Sequence, residues 1–187
     1  SMNTRFRRAE IEDVLRRVKP KVVAFVTELG RTNHIDIIEN IAPALFSCVE
    51  ALIQCDGRDL YKNRHVQTLY YDSLVTHGLL EHPLCEPGSG CVIFNTSGTT
   101  SLPKFVLHNQ QRVLAHAEDV ARILEMNKMD TVVLQSLPFC GVFGFVFLMA
   151  AIRAAAPCVM PEIFEASDSA RLIIDYKVTH AAGGDDM

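Results

Sequence analysis

Short apolar runs alternate along this chain with longer stretches whose apolar residues recur at helical spacing, and no other feature limits the fold so tightly. Strand-like runs are expected from Lys21 to Thr27, Val49 to Gln54, Thr131 to Leu137, Pro157 to Met160 and Val178 to Ala182. Strands separated by helices cross over into a parallel sheet whose faces the helices cover. The expected class is therefore α/β, a mostly parallel sheet flanked by helices in a doubly wound arrangement.

The helices are read from period and punctuation. Arg8 to Lys19 places Ile11, Val14, Leu15 and Val18 on one face, and Pro20 marks its end because the residue before a proline is driven out of helical geometry. Ile35 to Phe46 is helical with a kink or stop at Pro43, Asp56-Gly57 is a turn, and Tyr70 to Leu80 is a short helix. His82 to Gly90, rich in proline and glycine, is a linker into a strand at Cys91. Lys104 to His108 reads as the return arm of a hairpin. Asn109 can cap a helix running to about Met126, on which Val113, Leu114, Ala117, Val120, Ala121 and Leu124 share a face. Phe143 to Ala154 and Ser167 to Tyr176 complete the helices. The expected division is 1–90, a first α/β part with its linker, and 91–187, carrying a phosphate loop and a substrate pocket.

Composition removes several classes. The 187 residues carry a formal net charge of −4. The basic residues Arg5, Arg7, Arg8, Arg16, Arg17, Lys19 and Lys21 are interleaved with Glu10, Glu12 and Asp13, as on a solvated amphipathic helix, so no nucleic-acid surface is expected. The run from Leu137 to Ile152 falls short of the roughly 20 apolar residues of a spanning helix, so no membrane span is expected. The cysteines, Cys48, Cys55, Cys85, Cys91, Cys140 and Cys158, form no C-x-x-C pair, which suits reduced, buried thiols and a cytoplasmic location. No zinc or other metal site is expected. Asp185-Asp186 reads as a polar turn, and Ser1-Met2 as a remnant of recombinant expression.

Chemistry concentrates in Asn95-Thr96-Ser97-Gly98-Thr99-Thr100-Ser101-Leu102-Pro103-Lys104, directly after the apolar Cys91 to Phe94. Side-chain hydroxyls and the backbone N–H groups around Gly98 can donate to phosphate oxygens, and Lys104 adds a positive charge. Gly98 lets the backbone approach an anion closely. A Walker loop is excluded, because Pro103 and Phe105 flank Lys104 where that loop needs a glycine and a hydroxyl. A dinucleotide fold is disfavoured too, since Gly88-Ser89-Gly90 precedes its strand. Cys140 is expected to be a structural thiol, and His108, His116 and His180 ordinary surface or core histidines, so no catalytic residue is assigned.

The pattern T-S-G-T-T-x-x-P-K resembles the phosphate-binding signature of the adenylate-forming (AMP-binding) superfamily, which includes acyl- and aryl-CoA synthetases. Three segments add to the resemblance: Phe6-Arg7-Arg8-Ala9-Glu10-Ile11 with the strand after it, Leu137-Pro138-Phe139-Cys140-Gly141-Val142-Phe143-Gly144-Phe145, and Lys177 to Gly184. The resemblance implies part of the large N-terminal domain of an ATP-dependent carboxylic acid:CoA ligase, with ATP, Mg2+ and CoA, an acyl-adenylate and then a thioester, in fatty or aromatic acid metabolism. It implies that Thr96, Ser97, Gly98, Thr99, Thr100 and Lys104 contact the ATP phosphates, Thr99 and Thr100 foremost, and that Cys140, Gly141, Gly183 and Gly184 border the acid pocket.

Departures from the pattern matter. Ser101 and Phe105 stand where glycines are usual, and Phe105 is expected to pack inward. Gly141 stands where many relatives carry a histidine gating the pocket, which enlarges the pocket and leaves the acid open. The family's later adenine, ribose and catalytic-lysine segments are not in these 187 residues, so the chain is expected to be a truncated, inactive fragment. Apolar surface left by truncation could drive a homodimer. The alternative is a non-catalytic nucleotide-binding or assembly module on the same scaffold.

Overall fold

The computed structural model describes residues 2–75, 85–96 and 104–184. They form two compact units, Met2–Glu81 and His82–Met187. Both units are built of α-helices and parallel strands, and the class is α/β.

In the first unit, helix α1 (Arg8–Val18) opens with the Arg7 backbone N–H donating to the Glu10 carboxylate at 3.0 Å. It closes on Lys19 in the left-handed region, φ 50°, whose N–H donates to the Leu15 carbonyl. Pro20 then prevents continuation. Strand β1 (Val22–Phe25) is shorter than the expected Lys21 to Thr27, because the Thr27 N–H donates to the Asp56 carboxylate at 2.6 Å.

Two elements here escape a reading of period alone. A small antiparallel hairpin, β2 (Glu28–Leu29) with β3 (Thr32–Asn33), turns on Gly30 at φ 58°. The helix expected from Ile35 to Phe46 is instead α2 (His34–Glu39) followed by a 3-10 helix, Pro43–Cys48. Proline has no N–H to give an α-helix interior, and it sits here in the first turn of the new helix, where none is needed.

Strand β4 (Ala51–Gln54) lies between β1 and β5 (Gln67–Tyr70), parallel to both. Helix α3 (Tyr71–Val75) begins where β5 ends. Of the helix expected from Tyr70 to Leu80, residues 76–80 lie outside the described residues. Leu15, Ile38, Ile41, Phe46, Val49, Leu52 and Val66 form the core. Gln54 is wholly buried in it and satisfied, its Nε2 donating to the Asp56 and Asp59 carbonyls and its Oε1 accepting from the Tyr61 N–H. The loop after β4 is thus held by a strand-end side chain.

In the second unit, β6 (Gly90–Asn95) and β7 (Phe105–Asn109) form an antiparallel hairpin in the register Asn95↔Phe105. Helix α4 (Gln110–Ile123) follows without a loop, and its N-cap is Asn109, whose side chain accepts from the Arg112 N–H at 2.9 Å. Three short parallel strands make a separate sheet: β8 (Val133–Leu134) between β10 (His180–Ala181) and β9 (Cys158–Val159). Helix α5 (Val142–Arg153) joins β8 to β9, and α6 (Ala166–Asp175) joins β9 to β10.

These strands occupy only the middles of the expected runs. Val133, Met126, Ala121, Phe147, Ala150 and Ala151 form the core, and alanines on both helices let α4 and α5 pack together. Helix α5 carries no polar side chain before Arg153 yet buries one side only, with Val142, Phe143 and Ile152 exposed.

The cysteines correct one expectation. All are free, but Cys55, Cys85 and Cys91 are exposed and the others only half-buried. Apolar neighbours in sequence did not bury them: only Cys91 and Cys158 lie in strands, Cys48 ends the 3-10 helix, and Cys55, Cys85 and Cys140 lie in the segments between elements.

Candidate functional site

The loop expected to hold phosphate hangs from the tip of the β6–β7 hairpin. Its two ends are fixed by a reciprocal pair. The Thr96 N–H donates to the Lys104 carbonyl at 2.9 Å, and the Lys104 N–H donates to the Thr96 hydroxyl at 3.2 Å. The Thr96 Oγ1 accepts in that bond and keeps its own O–H to donate outward. Thr96 and Lys104 are both exposed, and among the described residues no carboxylate pairs with the Lys104 ammonium. Ser97, Gly98, Thr99 and Thr100 lie outside the described residues, as do 101–103.

The hairpin is anchored just below the loop by Phe94, buried to 6 % exposure, whose ring meets Phe145 of α5 edge-on at 5.5 Å and His108 at 5.6 Å. Phe105 is half-buried beside Asn95.

The other expected site residues gather at the carboxyl ends of β8 and β10, the edge where ligands bind in parallel α/β sheets. Cys140 and Gly141 lie in the turn between β8 and α5, and Gly183 and Gly184 follow β10. Because β8 and β10 are neighbours, the two segments leave the sheet side by side, and the Ser136 hydroxyl donates to the Ala182 carbonyl at 3.1 Å to tie them. Cys140 is half-buried, and Gly183 and Gly184 are exposed.

Gly141 is the N-cap of α5 with ordinary extended dihedrals, φ −97° and ψ 148°, and no side chain caps the helix. The first backbone N–H groups of α5 therefore start without an intrahelical partner. Phe139, Val142 and Phe143, all within two positions of Gly141 along the chain, are exposed.

Three residues with clear local roles were not among the site residues expected from sequence. Gly144 is buried, and a Cβ there would stand 2.5 Å from the Pro138 carbonyl oxygen and 2.9 Å from that of Leu137. Only glycine fits. Gln135, at 3 % exposure, donates from Nε2 to the Leu137 carbonyl at 2.9 Å and the Gly144 carbonyl at 3.1 Å, while its Oε1 is buried without a partner. Ser136 is the third. A polar pair closing the apolar run Val132-Val133-Leu134 was the available signal.

Burial pushes the thiol of Cys158, on β9, up. Among the described residues no three or more His, Cys, Asp or Glu come together in a way that could hold a metal ion. None of the helices described is long and apolar enough to cross a membrane.

The chain is 30% identical over 108 residues to 4-coumarate--CoA ligase-like 6 of Arabidopsis thaliana, an alignment covering 55% of this chain and 19% of that protein. Among solved structures, one classed as a long-chain-fatty-acid CoA ligase of Rhodopseudomonas palustris matches with a TM-score of 0.82 at 24% identity, covering 100% of this chain and 44% of that one. The o-succinylbenzoate CoA synthetase of Bacillus subtilis, solved with ATP and magnesium ion, matches with a TM-score of 0.60 at 18% identity over 96% of this chain and 42% of that one. The chain thus spans about a fifth of the plant relative and less than half of each of these structures. The sequence model of the AMP-binding enzymes matches residues 1–184, and the chain belongs to that family.

Proposed function

We propose that this chain is the phosphate-gripping and acid-bordering part of an ATP-dependent carboxylic acid:CoA ligase acting in the cytoplasm. In the parent reaction a carboxylate oxygen attacks the α-phosphorus of ATP and pyrophosphate leaves. The thiol of CoA then attacks the acyl carbonyl of the adenylate, and AMP leaves. The acid is one with an apolar body, fatty or aromatic, a reading supported by the exposed Phe139, Val142 and Phe143 around Gly141.

The observation that carries the reading is the closure of the loop by Thr96 and Lys104, immediately after a strand, in a chain matched by the family almost end to end. Negative charge builds on the phosphates as the leaving bond breaks. Hydroxyls of Thr96, Ser97, Thr99 and Thr100, backbone donors near Gly98 and the Lys104 ammonium oppose that charge. Cys140, Gly141, Gly183 and Gly184 border the acid. Magnesium, travelling with the triphosphate, supplies further neutralisation. The described residues bring together no cluster of carboxylates, histidines or cysteines to hold it. The 187 residues by themselves do not turn over.

The test is pyrophosphate release by the full-length protein with ATP, CoA and a panel of fatty and aromatic acids. Release with at least one acid is expected, with a loss of about 100-fold in kcat/KM on Lys104→Ala. No release with any acid, or full activity in that variant, overturns the reading. Micromolar ATP binding by this chain, abolished by Thr99→Ala and without turnover by the full-length protein, would instead make it a nucleotide-binding module.

A further inference from the structure

We propose that Gln135 is a positioning residue of the acid site, acting on the substrate only through the turn from Leu137 to Gly144. The inference rests on the ligase reading for what the turn borders, but the clamp itself stands on geometry. Both hydrogens of the Gln135 amide are committed to that turn, one to the Leu137 carbonyl at its start and one to the Gly144 carbonyl at its end. One planar group thus spans the segment carrying Pro138, Phe139, Cys140 and Gly141. The Gln135 backbone is pinned as well, its N–H donating to the Val159 carbonyl at 2.9 Å. The anchor is therefore the sheet, not another loop.

Two observations show that the contact is specific. The Gln135 Oε1 is buried without a partner, a burden an apolar side chain of the same length would avoid, so packing alone does not account for an amide here. Gly144, meanwhile, has no room for a Cβ against Pro138 and Leu137, so the turn lies hard against the first turn of α5, where the amide holds it. The next residue extends the same device sideways, Ser136 tying the turn's strand to Ala182, just before Gly183 and Gly184. Gln135 has no surface to touch a ligand. What it fixes is the distance between Gly141, the open start of α5 and the glycines after β10.

The experiment uses Gln135→Met, which keeps the length and removes both donors, and has two readouts. In this chain, site-resolved alkylation of Cys140 by iodoacetamide reports the turn directly. The rate should rise about tenfold in the variant while exposed Cys55 and Cys91 react as before. An unchanged Cys140 rate overturns the clamp. In the full-length protein KM for the acid should rise about tenfold with KM for ATP within about twofold of the parent value. Cys140 acceleration with an unchanged acid KM, or an equal loss for both substrates, overturns the positioning role. Failure of the full-length protein to use any acid would sink the ligase reading while leaving the Cys140 result to judge the clamp.

Discussion

Thr96 and Lys104 hold each other across the mouth of the loop, each donating its backbone N–H to the other, one to a carbonyl and one to a hydroxyl. The threonine therefore has two tasks that a single substitution can separate. Thr96→Val keeps the β-branched shape and removes the hydroxyl; Thr96→Ser keeps the hydroxyl. In the full-length protein, KM for ATP should rise about three- to tenfold in the valine variant and stay near the parent value in the serine variant. A larger rise in the serine variant than in the valine variant would mean that the methyl group, not the oxygen, matters.

The two glycines at the start of α5 should respond oppositely. Alanine at Gly144 would drive its Cβ to 2.5 Å from the Pro138 oxygen in a buried place, and Gly144→Ala should cost about 1–3 kcal/mol. At Gly141 the nearest atom to a new Cβ is the same oxygen at 3.8 Å and the dihedrals suit any residue, so Gly141→Ala should stay within about 0.5 kcal/mol of the parent. Urea unfolding of both variants checks the contrast.

Phe94 joins the hairpin to α5. Phe94→Ala removes a buried ring and should cost about 3–5 kcal/mol, and a double-mutant cycle with Phe145→Leu should show coupling of about 0.5–1.5 kcal/mol. Additive losses would deny the ring contact any energy of its own.

The Glu12 carboxylate accepts from Arg8 at 2.9 Å and from the Ala42 N–H at 3.1 Å, and these bonds, Arg8 foremost, hold its pKa below the ordinary carboxylate value. A depressed carboxylate stabilises the fold above its unfolded pKa, and that contribution fades as pH falls through the folded value. The parent should therefore exceed Glu12→Gln in thermal stability at neutral pH, with the gap closing in acid. A gap independent of pH would contradict the assignment.

What the sequence made legible were features whose cause is local. The apolar stripe of α1, the Asn109 cap and the hydroxyl-rich loop after Phe94 each follow from residues within a few positions of one another. Strand β5 was not legible, because Gln67-Thr68-Leu69-Tyr70 has too little apolar character to announce a strand and becomes one by pairing with Ala51 to Gln54. The same holds at the site. Gln135 and Ser136 gain their roles only when β8 lies between β9 and β10, and their partners range from two to forty-six positions away. The cysteines show the converse error, since neighbours in sequence were read as neighbours in space.

Asn109 ends β7 and caps α4 in a single residue, with its side chain bonded to the Arg112 N–H. No spare residue is left there to act as a swivel. Lys104, one residue before β7, is thus separated from the first turn of α4 only by a paired strand and the residue that caps the helix.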